Sequence, residues 1–194
     1  MSEEILINIS PMETRVALVD NGVLQEIYIE RSRARGIVGN IYKGKVMRVL
    51  PGMQAAFIDM GLERSSFIHA SDIAVRDENG METVFAPEQD IRNSLQEGSP
   101  VVVQVIKEPI GTKGARLTTH LTVSSRFLVY MPHSNHVGIS QRIEDEVERE
   151  RLKNLVEHLL SKEVIPGGFI LRTAAEGVGE EELLADMRFL RRLW

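Results

Sequence analysis

The sequence predicts an α+β protein, with short strands filling roughly its first two thirds and two helices in its last third. Three observations carry this. Residues 4–30 alternate apolar and polar side chains. Further strand-like runs bounded by Gly, Pro, Asn or Asp follow between residues 36 and 121. Beyond residue 144 the apolar spacing lengthens from two to three or four, the period of a helix.

The first runs are EILINIS and TRVALVDNGVLQEIYIE, with Asp20-Asn21-Gly22 at the centre of the second. Asn-Gly supplies the positive φ values that a tight hairpin turn demands. Two strands alone cannot bury a core, so this hairpin needs a further partner.

The next block holds Ile41–Leu50 as a strand, Pro51-Gly52 as a turn, and Ala55–Met60 as a strand ending at Gly61. Ser66–His69, Val101–Lys107 and Ala115–Leu121 are three more strands. Asp77-Glu78-Asn79-Gly80 and Glu97-Gly98-Ser99-Pro100 have loop compositions. Five short strands within ~85 residues, with one longer excursion before the fourth, predict a five-stranded OB-type β-barrel.

In the last block Arg126–Met131 is a strand closed by Pro132, and His133-Ser134-Asn135-His136 a turn. Glu144–Lys162 is a helix with Val147, Leu152, Leu155, Val156, Leu159 and Leu160 on one broad face. Pro166-Gly167-Gly168 breaks it, and Phe169–Arg172 is an apolar strand. Glu180–Trp194 is helical again, with Leu183, Leu184, Met187, Leu190, Leu193 and Trp194 on one stripe. That pattern reaches Trp194 without a Gly, Asn or Pro stop, as expected of a fragment.

Composition narrows the class. No apolar run is long enough for a membrane helix, and MSEEILINIS lacks a secretory signal, so a cytoplasmic protein with no membrane partner is expected. The absence of cysteine excludes disulfides and thiolate metal sites. The net charge of −5 argues against a nucleic-acid binder, yet its distribution matters more. Arg31 to Arg48 holds six basic residues and no acidic one, whereas Glu144 to Glu163 holds seven acidic against four basic. The first segment can face a polyanion; an ordinary charged strand and turn is the other reading.

Single-stranded RNA is held by aromatic or Arg surfaces that stack on bases and by cations that track phosphates. Phe57 and Phe67 lie on adjacent strands, with Tyr42, Lys43, Lys45 and Lys113 as further contacts; core packing is the alternative for the two Phe. Gly111-Thr112-Lys113-Gly114 presents backbone amides and a charge at a loop tip, which suits a phosphate. Arg172 and Thr173 end an apolar strand: a guanidinium forks onto two phosphate oxygens and a hydroxyl adds a third bond. An ion pair with a nearby carboxylate is the other reading of Arg172. His133 and His136 lack a third metal ligand, and Asp59, Asp72 and Asp90 fit turn and surface roles better than a magnesium site.

More specific patterns then appear. GIVGNIYKGKVMRVLPGMQAAFIDMGLERSSFIHASDI (Gly36–Ile73) resembles the opening of the S1-type RNA-binding domain in the ribonuclease E/G family, and ISPMETRVALVDNGVLQEIYIERS resembles that family's first hairpin. KGARLTTHLTV, FLVYMP, GISQRIE and LRTAAEGV follow in order at family-like spacing, and the Pro51–Phe57 run leans toward the ribonuclease G branch.

The resemblance implies a layout: residues 1–35 as the first part of an RNase H-like subdomain, 36–119 as the inserted S1-like OB barrel, and 120–194 as an α/β 5′-sensor region, truncated. It implies that Arg172 and Thr173 bind the 5′-monophosphate of RNA, helped by backbone at Val129, and that Phe57, Phe67 and Lys113 hold RNA on the barrel. Ser125 stands where the ribonuclease E branch carries glycine. No cofactor is expected in this chain; the family's catalytic Mg²⁺ and structural zinc belong to later regions. The implied function is the RNA-binding, 5′-monophosphate-sensing portion of a single-strand-specific endoribonuclease for rRNA maturation and mRNA decay, inactive by itself, whose full-length form allows homo-oligomers. A stand-alone non-catalytic RNA-binding protein is the alternative, and a protein–protein adaptor a third.

Overall fold

The hairpin turn at Asn21-Gly22 forms with the conformation that its residues favour: φ is 47° at Asn21 and 78° at Gly22. It joins β2 (Glu13–Asp20) to β3 (Val23–Arg31), and the preceding run, β1 (Glu3–Ile9), pairs with the other edge of β2. The further partner of the hairpin is therefore β1, giving an antiparallel meander in the order β1-β2-β3. Apolar side chains of its two outer strands stay exposed, among them Ile5, Leu6, Ile7, Leu24, Ile27 and Ile29, whereas Val16, Leu18 and Val19 of β2 are half-buried. The computed structural model describes residues 3–77, 80–83 and 90–194. It divides into two units, Met1–Ile37, which holds this meander, and Val38–Trp194.

The second unit begins with the barrel. β4 (Ile41–Leu50), β5 (Ala55–Asp59) and β6 (Ser66–His69) form an antiparallel succession. The excursion contains β7 (Val75–Arg76) paired with β8 (Glu82–Thr83), then α1 (Ile91–Ser94), a single turn capped by the Asp90 carboxylate on the Arg92 amide at 2.9 Å. β9 (Pro100–Lys107) and β10 (Arg116–Thr118) close the barrel in the order β10-β6-β5-β4-β9. Val46, Ala56, Ile58, Ile68, Val103, Val105 and Leu117 fill its interior. The structure thus contains the expected five-stranded barrel, with β10 shorter than the Ala115–Leu121 run. In the predicted loop at 77–80, Gly80 N–H donates to the Asp77 carbonyl at 2.9 Å, while Glu78 and Asn79 lie outside the described residues.

A second sheet follows: β11 (Val123–Ser124), β12 (Leu128–Met131), β13 (Val137–Ile139) and, after α2 (Glu146–Glu163), β14 (Gly168–Leu171). The order is β11-β12-β14-β13, with β14 antiparallel to β12 and parallel to β13. α3 (Glu180–Leu193) completes the region. Leu128, Tyr130, Phe169 and Leu171 from the sheet meet Leu152, Val156 and Leu159 of α2 and Leu183, Met187 and Leu190 of α3 in one core.

Two helix faces differ from the sequence expectation. Val147 is 77% exposed, because at 100° per residue it lies roughly 140° around α2 from Leu152. Leu193 and Trp194 continue the stripe of α3 but stay exposed, since the sheet and α2 pack against its earlier turns.

The Gln104 side chain fastens the barrel to this region. Its amide nitrogen donates to the Gly39 and Thr122 carbonyls at 2.9 and 2.8 Å, and its oxygen accepts from the Thr122 N–H at 2.9 Å. With Gln104 buried, these bonds satisfy a polar group that would otherwise be costly there.

Candidate nucleic-acid interface

Strand alternation sorts the barrel residues. In β4, Gly44 and Val46 are buried whereas Lys43 and Lys45 are exposed; in β5, Ala56 and Ile58 are buried whereas Phe57 and Asp59 are exposed. Phe57 lies directly opposite Phe67 of β6, and Arg48 opposite Phe57 on the other side. Phe57 is 39% exposed and Phe67 is half-buried, so neither belongs to the buried core. Two aromatic residues paired on an outer face and flanked by an Arg are the kind of surface on which bases can stack. Arg48 is a member of this face that the sequence does not single out, although it ends the basic run. Its place beside Phe57 follows from a register shift between Val46 and Arg48, a bulge that local periodicity does not announce.

Tyr42 falls elsewhere. It shares the inward parity of Gly44 and Val46, lies opposite the buried Val103, and its hydroxyl accepts from the Asn40 amide at 3.3 Å. The structure does not group it with Lys43 and Lys45.

The Lys113 loop is built differently from a phosphate cradle. Its amide N–H donates to the Ile110 carbonyl at 3.0 Å, which leaves the exposed ammonium as the loop's main offering. Gly114 is required by close approach: a Cβ there would stand 2.0 Å from the Ser65 carbonyl oxygen. Phe67 N–H donates to the Ala115 carbonyl at 2.9 Å, so this loop is pressed against the strand that carries Phe67.

A second cluster forms where β14 ends. Arg172, exposed, caps a short 3-10 turn at Thr173–Ala175. Together with Ser140, Arg142, Ile170 and Ala174, Arg172 and Thr173 line an open depression of about 480 Å³. The Thr173 and Ser140 hydroxyls lie 3.3 Å apart. Arg149 Nη1 on α2 donates to the Ser140 and Ile143 carbonyls at 2.9 and 3.0 Å, fixing the segment that carries Arg142. Beyond Thr173, Glu148 accepts the Gly177 N–H at 2.8 Å, and Arg151 donates to the Val178 carbonyl at 3.1 Å. The Arg151 guanidinium, then the Gly177 amide, hold the Glu148 carboxyl down at about 2.

Among the described residues no carboxylate pairs with Arg172; its guanidinium donates to the Ser125 carbonyl instead. Arg142 is a cation at this depression that sequence reasoning does not select. Its signal, QR after an apolar turn, is too common to stand out. Val129 lies one strand away, opposite Ile170 in β12, and does not line the depression.

The remaining candidates have structural roles. Asp59 accepts the Gly61 N–H at 2.8 Å, Asp72 pairs with Arg116 at 2.9 Å, and Asp90 caps α1. His133 packs edge-on to Trp194 with ring centroids 6.0 Å apart, and burial lowers its pKa, with Arg76 adding to the effect. No three His, Asp or Glu side chains converge as a metal site among the described residues.

A five-stranded barrel with an outward aromatic pair, joined to a sheet-and-helix region with a basic depression, is an arrangement suited to a nucleic-acid-binding protein. Residues 37–119 match the S1 RNA binding domain, and residues 122–194 match the Ribonuclease E/G family. The chain belongs to the ribonuclease E/G family and carries an S1 RNA-binding domain. It is 57% identical to Ribonuclease G of Escherichia coli (strain K12) over 196 aligned residues, covering 100% of this chain and 40% of that protein. Ribonuclease G of Haemophilus influenzae is 56% identical over 98% of the chain and 39% of its own length. Ribonuclease E of the same organism is 44% identical over 94% of the chain and 19% of its own length. The chain thus spans 40% or less of the length of these relatives.

Proposed function

We propose that this chain is the RNA-binding and 5′-end-sensing portion of an endoribonuclease that cuts single-stranded RNA with a preference for 5′-monophosphorylated substrates. One observation carries the reading: Arg172, Thr173, Ser140 and Arg142 gather around one open depression within the segment that matches the Ribonuclease E/G family. Two guanidinium groups and two hydroxyls are what a terminal phosphate monoester needs, and the 3.3 Å between the hydroxyls leaves both near one anion. A triphosphate places further charge where these donors cannot follow it, and a hydroxyl end offers them no anion.

In this reading residues 1–35 begin an RNase H-like subdomain, 36–119 form the S1-type domain and 120–194 the 5′-sensor region. The barrel face of Phe57, Phe67, Lys43, Lys45, Arg48 and Lys113 holds the strand by stacking and charge. The sensor holds its end, and hydrolysis takes place outside this segment. In this reading the family's catalytic magnesium and structural zinc belong there too, and the sequence of this chain offers no cysteine to a zinc ion. Such an activity serves rRNA maturation and mRNA decay in the cytoplasm.

The test is binding of one oligoribonucleotide bearing a monophosphate, triphosphate or hydroxyl at its 5′ end. Arg172→Ala is expected to erase the monophosphate preference while leaving affinity for the hydroxyl form nearly intact. Preserved discrimination in that variant rejects the sensor. The purified 194-residue chain is expected to bind without cutting in Mg²⁺; efficient cleavage by it contradicts the assignment of hydrolysis to another segment.

A further inference from the structure

We propose that Asp186 of α3 is a positioning residue for the Arg172 guanidinium, acting through the turn from Ser125 to Leu128. The proposal rests on the reading of Arg172 as a phosphate receptor. Asp186 lies 61 residues from Ser125 in sequence, and Arg172 lies 47 from it, so only the fold joins them.

The connection has two bonds on each side of the turn. Asp186 Oδ2 accepts the Ser125 hydroxyl at 2.5 Å and the Phe127 N–H at 3.2 Å. The carbonyls of the same two residues then hold Arg172: Ser125 accepts from Nη1, and Phe127 accepts the Arg172 backbone N–H at 2.8 Å. The turn is closed by Ser125 N–H donating to the Leu128 carbonyl at 2.9 Å. Asp186 itself is a fixed point, because its neighbour Met187 and also Leu183 and Leu190 are fully buried in the core.

The chemistry explains why the carboxylate acts at one remove. An aspartate directly on Arg172 would orient it but would also neutralise it and compete with the incoming phosphate. With a turn interposed, the anion is satisfied by a hydroxyl and a peptide N–H. The guanidinium is steered by a neutral carbonyl at one nitrogen, and its remaining N–H groups are left for an anion. The Ser125 hydroxyl is what allows this arrangement, since a residue without one gives Asp186 only the Phe127 amide.

The experiment uses the purified full chain and fluorescence anisotropy with one oligoribonucleotide carrying either a 5′-monophosphate or a 5′-hydroxyl. Asp186→Ala is expected to reduce the monophosphate preference about tenfold, toward parity, while 5′-hydroxyl affinity stays within about twofold. Asp186→Asn keeps an oxygen acceptor and is expected to retain the preference within about threefold. In an Arg172→Ala background, Asp186→Ala should change nothing further. If Arg172→Ala abolishes the preference but Asp186→Ala leaves it whole, the positioning role is overturned and the sensor stands. If Arg172→Ala leaves the preference intact, the sensor itself is overturned. Should Asp186→Ala melt below the assay temperature, Ser125→Ala carries the test. It removes one of the two bonds to Asp186, and an unchanged preference there also overturns the proposal.

Discussion

Replacing Phe57 or Phe67 by Ala separates a stacking platform from a packed core. The two residues are directly paired across β5 and β6, where facing Cβ atoms are about 5 Å apart, so their side chains emerge side by side on one face. Each base stacked on an aromatic ring contributes about 1–3 kcal/mol. At about 2 kcal/mol each substitution weakens binding of single-stranded RNA roughly thirtyfold. Stability falls by less than for a core ring. A fully buried Phe→Ala costs about 3–5 kcal/mol, whereas Phe57 is 39% exposed, so its loss should cost about 2 kcal/mol and lower Tm by roughly 4–8 °C. The assay is anisotropy with a labelled 5′-hydroxyl oligonucleotide at fixed salt, beside a thermal melt of each variant. Phe57→Trp, which keeps a ring on the same face, should retain binding. Affinities within about twofold of the parent for both Ala variants, or a Tm fall above about 10 °C that tracks the loss of binding, refute the platform.

Three other outcomes follow from the same geometry. Replacing Lys43, Lys45, Arg48 or Lys113 singly by Gln should reduce the slope of log K against log salt by about 0.7 for each phosphate left without its cation, measured by salt titration of binding. Gly114→Ala places a Cβ 2.0 Å from the Ser65 carbonyl oxygen, a backbone atom with little room to yield. It should cost about 3 kcal/mol by thermal denaturation and weaken RNA binding through displacement of Lys113 and Phe67. Glu148, held at about 2 against an ordinary 4.5, contributes stability that is full above pH 4.5 and lost as pH falls toward 2. Because solvent reaches the Arg151 pair, Glu148→Gln should cost only about 1 kcal/mol near pH 7, and the difference from the parent should shrink in melts taken below pH 4.5.

Local signals are legible where residue chemistry acts over a few neighbours. Asn21-Gly22 dictates its turn, and the bounds of β4 and β6 can be read directly from apolar runs between turn residues. β13, three residues long, cannot, because so short a segment has no period to detect; it exists because β14 offers it a parallel edge. Val147 departs from its expected place because a broad apolar face tolerates an angular error in the first turn of a helix, where the side chain stays largely exposed.

The site is legible only in part. Alternation along β5 separates Phe57 from Ile58, but which parity faces the barrel interior depends on closure of the barrel. Arg172 and Thr173 stand out as a polar end to an apolar strand. Ser140 and Arg142 reach them only because β13 pairs with β14, and Asp186 only because α3 packs on β12. Sequence proximity draws Tyr42 into the basic group, and the pleat of β4 places it on the opposite face.

In the proposed function one chain has two separable RNA-binding surfaces, a barrel platform and a 5′-phosphate receptor. The direct measurement is a cycle of Phe57→Ala, Arg172→Ala and the double variant, each titrated with 5′-monophosphate and 5′-hydroxyl forms of the same RNA. Phe57→Ala is expected to weaken both forms by the same factor, Arg172→Ala to weaken only the monophosphate form, and the double variant to combine the two effects. If end chemistry makes no difference to the parent chain, or if Arg172→Ala weakens both forms equally, the chain has no 5′-phosphate receptor and only one RNA-binding surface.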